Sequence, residues 1–117
     1  MYVNGFILAV PEGNRAAYIE IAEKFWSLVR EYGALSQVEC WEADVKDGQT
    51  TDFRRAVKAE EGEKIVFSWV TWPDKATADA GEAKMMEDPR MEAFSDMPFD
   101  GKRMVYGGFE TIVQKEA

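Results

Sequence analysis

The residues best able to perform chemistry in this sequence are carboxylates, tyrosines and arginines, because the chain contains no histidine. That absence excludes Ser-His-Asp and Cys-His nucleophiles, histidine general bases and the usual zinc sites. Any acid–base chemistry must use carboxylates, lysine, tyrosine or cysteine with shifted pKa values. We predict neither a metal site nor a bound cofactor.

Three residues are the candidates for catalysis: Glu39, Tyr32 and Arg103. Glu39 stands beside Trp41, and burial in a cavity would raise its pKa and make it a base. The alternative is an exposed carboxylate on a solvated strand. Cys40 is expected to be an inert strand thiol, because no histidine is present to activate it.

Aromatic side chains are the candidates to line a pocket for a small apolar or aromatic ligand. The chain has four tryptophans, and ligand pockets are mostly apolar with a few polar groups that orient the ligand. Asn4, the lone polar side chain of an apolar run, either donates into a cavity or is a satisfied amide at a strand end. The predicted ligand-binding residues are Asn4, Trp41, Trp69, Trp72 and Tyr106.

The run KIVFSWVTW, residues 64–72, is the element that must position these side chains. Its β-branched and aromatic residues favour a strand. Neither face is polar: one holds Ile65, Phe67, Trp69 and Thr71, the other Val66, Ser68, Val70 and Trp72. Both faces therefore need cover, and a chain of this length covers only one comfortably.

The other elements follow from periodicity and turn signals. We predict a strand over 2–10, a helix from the Asn14 cap to the Gly33 stop, a strand over 34–45, a helix over 75–87 capped by Asp74, and a strand from the Asp100-Gly101 turn to about residue 113. This order predicts an α+β fold, an antiparallel sheet with two helices on one face. A second copy of the chain is the simplest cover for the apolar opposite face.

The connection over 46–63 carries the only local basic cluster, Arg54, Arg55 and Lys58. These side chains either hold an anionic ligand group or pair with the neighbouring glutamates at 60, 61 and 63. Residues 50–52 are predicted to cap a short turn over 53–57.

Glycines inside predicted elements indicate close packing. Gly81 in the middle of a helix costs roughly 1 kcal/mol relative to alanine, so we expect a tight contact there. Gly107 and Gly108 in the last strand predict a bulge or a close approach.

Composition predicts a globular protein with a single domain over residues 1–117. Twenty-two acidic and fourteen basic residues give a net charge of −8, which disfavours nucleic acid and anionic membranes as partners. There is no apolar run of roughly 20 residues and no signal-peptide pattern. A single cysteine fits a reducing compartment, so we predict a cytoplasmic protein.

Several segments resemble the YbaA-like family of small bacterial proteins of unknown function. The matching segments are MYVNGF, YGAL, EC, DV, AVK, VFSW, AKMMEDPRM and DMPFDGKRMVYGGF. The resemblance implies a ferredoxin-like βαββαβ unit that pairs as a dimeric α+β barrel. Family members commonly have histidine before the glycine of YGAL, where this chain has Tyr32. If that histidine is catalytic in the family, this protein lacks the activity or uses Tyr32 differently.

Three functions are compatible with these patterns. The first is a homodimer that binds a small apolar or aromatic molecule. The second, by fold analogy alone, is a cofactor-independent monooxygenase-like or isomerase-like enzyme. The third is a regulatory interaction module without a catalytic site. A roomy apolar cavity favours binding, a roomy cavity with polar groups favours an enzyme, and no cavity favours interaction.

Overall fold

A computed structural model, which describes residues 1–117, shows a four-stranded antiparallel sheet with the strand order β2-β3-β1-β4. The elements are β1 (Tyr2–Pro11), α1 (Arg15–Glu31), β2 (Ser36–Trp41), α2 (Phe53–Ala56), β3 (Glu63–Trp72), α3 (Lys75–Glu87) and β4 (Val105–Glu110). Short 3-10 turns cover Glu12–Asn14, Pro89–Phe94 and Gly101–Arg103. The predicted α+β order of strands and long helices is therefore confirmed.

The core lies between the sheet and the two long helices, α1 and α3. Successive strand residues point to opposite faces, and Leu8 of β1 stands opposite Val66 of β3. These two residues form one buried cluster with Val10 of β1 and Tyr18 of α1. A second cluster joins Leu28 and Val29 of α1 to Trp72 and to α3. We call this side of the sheet the helix face.

The opposite side, which we call the open face, is apolar and only partly covered. The connection before β3 covers one end, where Val57 packs on Ala9 and Ile65. Elsewhere large side chains remain accessible, with Phe67 47% and Phe109 61% exposed. Both faces of β3 are thus apolar, as its sequence predicts, but the monomer buries only one of them completely.

The two long helices begin and end close to the predicted residues. Asp74 accepts a hydrogen bond from the Thr77 amide at 2.7 Å and so caps α3, and Gly33 follows α1 with a φ of +107°. Asn14 occupies the N-cap position of α1 but makes no capping bond. Its side chain instead donates to the carbonyl of Pro98 at 2.9 Å. No helix combines the length and the apolar character needed to cross a bilayer.

Two strands are shorter than predicted, for local reasons. Before β2, the amide of Ala34 closes the end of α1 by donating to the Val29 carbonyl. After β2, the Ile65 amide donates a hydrogen bond to the carboxylate of Glu42. A side-chain acceptor thereby replaces the backbone carbonyl that would continue the strand pairing. β4 ends at Glu110 because its partner β1 begins at Tyr2.

The two arginines of the basic cluster in the connection are paired within the protein. Arg54 binds Glu42, and Arg55 binds Asp52. The Asp52 carboxylate also accepts the Arg55 amide at 2.8 Å and caps α2, which confirms the predicted turn. The charge-pairing interpretation holds for both arginines, but their partners are not the three predicted glutamates.

Candidate functional site

Two hollows meet between α1 and the helix face of the sheet, and they share Tyr18, Ala22 and Glu39. The first, which we call the pocket, has a volume of about 150 Å³. The second, which we call the groove, is an open hollow of about 750 Å³ between α1 and the edge strand β2. Side chains at the shared wall can therefore contact a molecule in either hollow.

The pocket is apolar because β1, α1 and the segment before β4 direct apolar side chains into it. Its lining comprises Phe6 and Leu8 of β1, Tyr18, Ile21, Ala22 and Phe25 of α1, Glu39 of β2, Ser68 of β3, and Phe94, Met97, Phe99 and Met104. The last four belong to the segment 88–104, which links α3 to β4 and forms the outer wall. Aromatic pairs join this wall to α1, with centroids 5.8 Å apart for Tyr18 and Phe99 and 5.9 Å apart for Phe25 and Phe94.

The segment 88–104 is fastened to the body of the protein by polar contacts. Arg103 binds Glu63 through two hydrogen bonds of 2.7 Å each and also pairs with Asp100 at 3.1 Å. The hydrogen bond from Arg103 holds the pKa of the Glu63 carboxyl below its usual range, although burial alone would raise it. Arg103 therefore has a structural pairing and lines neither hollow.

The polar centre of the site is a hydrogen-bonded chain on Glu39. The Tyr18 hydroxyl donates to Oε1 of Glu39 at 2.5 Å, and Nε2 of Gln37 donates to Oε2 at 3.0 Å. Burial, followed by the negative charge of Glu39, raises the pKa of Tyr18 far above its ordinary value. The phenol therefore keeps its proton at physiological pH and acts as a donor to Glu39.

Gln37 has an acceptor with no partner. Its Nε2 also donates to the Ala22 carbonyl at 3.1 Å, so both amide hydrogens are used and the orientation of the amide is fixed. Its Oε1 is buried without a hydrogen bond. Such orphaned atoms are uncommon in native structures and need an explanation.

Of the predicted catalytic residues, only Glu39 lies at the hollows. It is exposed, as the alternative interpretation expects, yet Tyr18 and Gln37 hold it in place. Tyr32 is roughly 20 Å from Tyr18 along α1, given a rise of about 1.5 Å per residue. Its hydroxyl donates to Asp88 at 2.7 Å, which raises the pKa of Tyr32. The three candidates therefore do not form one site.

Two of the predicted ligand-binding residues bind each other in the core. Trp72 is 1% exposed, and its Nε1 donates to Oδ1 of Asn4 at 2.7 Å. This contact makes Asn4 a satisfied amide on the helix face. Neither residue lines the pocket or the groove.

The other three predicted ligand-binding residues are scattered over the sheet. Trp41 is at the outer edge, where the Arg15 guanidinium lies 5.6 Å from its ring centroid. Trp69 is on the open face and packs against Phe67 at a tilt of 54°, with centroids 5.5 Å apart. Tyr106 is 71% exposed on the other edge strand. These five residues are thus not brought together in one pocket.

Sequence reasoning overlooked Tyr18, Gln37 and Ser68 as site residues. A usable signal was present on β2, where Gln37 and Glu39 alternate onto the face that the neighbouring strand fills with core residues. Tyr18 lies on the apolar face of α1, and helix periodicity alone does not indicate that its hydroxyl enters the site. No group of three or more carboxylate or thiolate side chains is placed to hold a metal ion.

Known structures share the architecture of this chain. A dimeric ferredoxin-like protein from an uncultured marine organism aligns over 100% of both chains with a TM-score of 0.55 and 7% identity. Rv0793 from Mycobacterium tuberculosis aligns over 99% of this chain and 100% of its own, with a TM-score of 0.52 and 11% identity. At such identities the likeness shows the fold alone, which is ferredoxin-like.

Proteins of similar sequence identify the family of this chain. The uncharacterized protein YbaA of Escherichia coli strain K12 is 57% identical over 115 residues, which cover 97% of this chain and 98% of YbaA. The YbaA protein of Shigella flexneri matches to the same extent. The model of the protein family of unknown function DUF1428 matches residues 1–101. The chain therefore belongs to the DUF1428 family.

Proposed function

We propose that this protein binds a small apolar or aromatic molecule in the pocket between α1 and the sheet. The observation that carries the proposal is the lining, in which ten of twelve residues are hydrophobic around a volume of about 150 Å³. A dry apolar cavity of roughly this size holds one benzene ring. The polar groups at one end supply the orientation that ligand sites generally need.

The groove extends this site beyond the pocket. It has a volume of about 750 Å³, and Trp26 and Leu35 add apolar surface to it. A ring in the pocket would therefore leave room for a substituent that passes Glu39 into the groove. This arrangement supports a ligand larger than a single ring.

Filling the pocket tests the proposal. Ala22→Leu adds three carbon atoms at the wall shared by pocket and groove, whereas Ala16→Leu makes the same change at an exposed position of α1. We expect toluene to shift the NMR signals of Phe6, Tyr18 and Phe99 in the unmodified protein and in Ala16→Leu. Ala22→Leu should lose these shifts, because the added side chain occupies the ligand volume.

If toluene shifts none of these NMR signals in the unmodified protein, the proposal is contradicted. Shifts confined to Trp69 and Phe67 would also contradict it, since they would place the ligand on the open face.

We further propose that two copies pair through the open face. Phe53, Phe67, Val105 and Phe109 are each more than two-fifths exposed there, and a contiguous apolar surface of this kind is uncommon on a monomer. The structural neighbour from a marine organism is described as dimeric. A two-fold axis that stacks the sheets of two copies would cover the patch on both.

A second candidate function is catalysis with Glu39 as the base. The short hydrogen bond from Tyr18 at 2.5 Å supports it, because it fixes the carboxylate at the mouth of an apolar pocket. For any compound turned over, Glu39→Gln should lower kcat by at least about a hundredfold, the usual contribution of a general base. An unchanged kcat would leave binding as the function.

A further inference from the structure

After the protein makes its own hydrogen bonds, the residues around Glu39 offer acceptors rather than donors, and the Ser68 hydroxyl of the pocket lies against the Tyr18 hydroxyl. The Tyr18 hydroxyl proton is used on Glu39, and both amide protons of Gln37 are used on Glu39 and on the Ala22 carbonyl. The carboxylate of Glu39 keeps free lone pairs, since each oxygen can accept more than one hydrogen bond. A complementary ligand must therefore bring its own N–H or O–H group.

The negative charge of the site also favours a ligand that donates hydrogen bonds. Neither hollow is lined by lysine or arginine, while Glu23 and Glu39 both line the groove. The neutral donors Tyr18 and Gln37 leave the negative charge of Glu39 without a cationic partner. An anionic ligand would meet like charges, within a protein whose net charge is −8.

The position of Glu39 determines which part of the ligand it meets. Glu39 lines both hollows and is exposed to the groove, whereas ten of the twelve residues that line the pocket are hydrophobic and Ser68 is the other polar one. A ring in the pocket would thus place a polar substituent attached by one carbon atom near the carboxylate.

We infer that the ligand is an aromatic or compact apolar molecule with a hydrogen-bond donor at its polar end, a protonated amine or a hydroxyl group, and that the site discriminates against aromatic acids. This inference rests on the proposed function, because it names the chemistry of the molecule that the pocket takes.

A matched series of four compounds tests it: benzylamine, benzyl alcohol, toluene and benzoate, which share the ring and differ in the substituent. NMR titration of the unmodified protein gives a Kd for each. We expect benzylamine and benzyl alcohol to bind more tightly than toluene, and benzylamine to bind at least about fivefold more tightly than benzoate. Added salt should weaken the binding of benzylamine but not that of benzyl alcohol.

Glu39→Gln removes the charge that the inference uses, and Glu87→Gln removes one from an exposed position of α3. We expect Glu39→Gln to abolish the preference for benzylamine over benzoate, because it removes the charge but keeps the size of the side chain. Glu87→Gln should keep the preference. The series on the unmodified protein decides the matter even if Glu39→Gln does not fold.

The outcomes separate the two proposals. Toluene binding with benzoate as tight as benzylamine would overturn the inference and leave the proposed function intact. Failure of all four compounds to bind would overturn both.

Discussion

Gly81 lies where α3 crosses Trp72, and a methyl group at that position has no free space. A Cβ atom there would be 3.0 Å from Cζ3 of Trp72 and 3.1 Å from the carbonyl oxygen of Tyr32. The sequence predicts a tight contact at this glycine, and the structure confirms it. The structure also identifies Trp72 as the residue that packs on this glycine, which helix periodicity cannot predict.

We predict that Gly81→Ala destabilises the protein, although alanine favours a helix by about 1 kcal/mol. Overpacking against Trp72 should outweigh that gain and lower the free energy of unfolding by about 1–2 kcal/mol, as measured by urea denaturation. Gly13→Ala is the control, since nothing lies within 4 Å of the added atom there. Equal stability of the two variants would show that α3 shifts to make room.

Pairs of residues that are distant in sequence were the hardest features to predict at this scale. Asn4 and Trp72 are recognisable singly, but their hydrogen bond depends on the register of β1 and β3, which pairs Tyr2 with Trp72. Tyr18 and Glu39 likewise meet only when α1 packs on β2. Strand alternation shows the face of a residue, whereas contacts across elements require the register.

At the scale of elements, the segment 88–104 decides whether a pocket exists. It consists of 3-10 turns and irregular backbone, so it has no periodicity from which its inner face could be predicted. The strands and long helices have that periodicity, which predicts their order and the approximate bounds of both long helices, β1 and β3 but extends β2 and β4 too far. The sequence predicts an apolar pocket but not its lining, because one of its walls comes from the segment without a pattern.

The pair of Arg103 and Glu63 fastens this segment, and its contribution should depend on pH. The pKa of Glu63 lies below its ordinary value of 4.5 in the folded protein. The pair therefore stabilises the fold above the pKa of the unfolded state, and this stability is lost as the pH falls through the folded pKa. We predict that Arg103→Met lowers Tm by several degrees at neutral pH, because it leaves a buried carboxylate unpaired.

Thermal unfolding over a pH series checks this prediction. The difference in Tm between Arg103→Met and the unmodified protein should shrink as the pH falls, because protonation of Glu63 removes the ion pair in the unmodified protein and the unpaired charge in the variant. Lys24→Met breaks an exposed pair with Glu20 and should change Tm little at any pH. A deficit that is independent of pH would show that Arg103 acts by packing alone.

At the scale of the whole molecule, the apolar open face is the feature that the sequence predicted most directly. β3 has no polar face, and the two long helices cover only one side of the sheet. We predict that Phe67→Lys converts a dimer into a monomer, because it places a charge in the centre of the proposed interface. Light scattering during size-exclusion chromatography measures the mass.

Met86→Lys is the matched control, since Met86 is 78% exposed on α3, on the other side of the sheet. This variant should remain a dimer. An unmodified protein that is monomeric at micromolar concentration would contradict the proposed pairing.

Cys40 gives the molecule its own reporter of association. It is the only cysteine of the chain, its thiol is free, and it stands opposite Phe67 on the open face. A thiol-specific reagent therefore modifies this face at one defined atom. If copies stack their sheets, alkylation should slow as the protein concentration rises, and in Phe67→Lys its rate should not depend on concentration. The concentration dependence of the labelling rate would then give the dissociation constant without an engineered label.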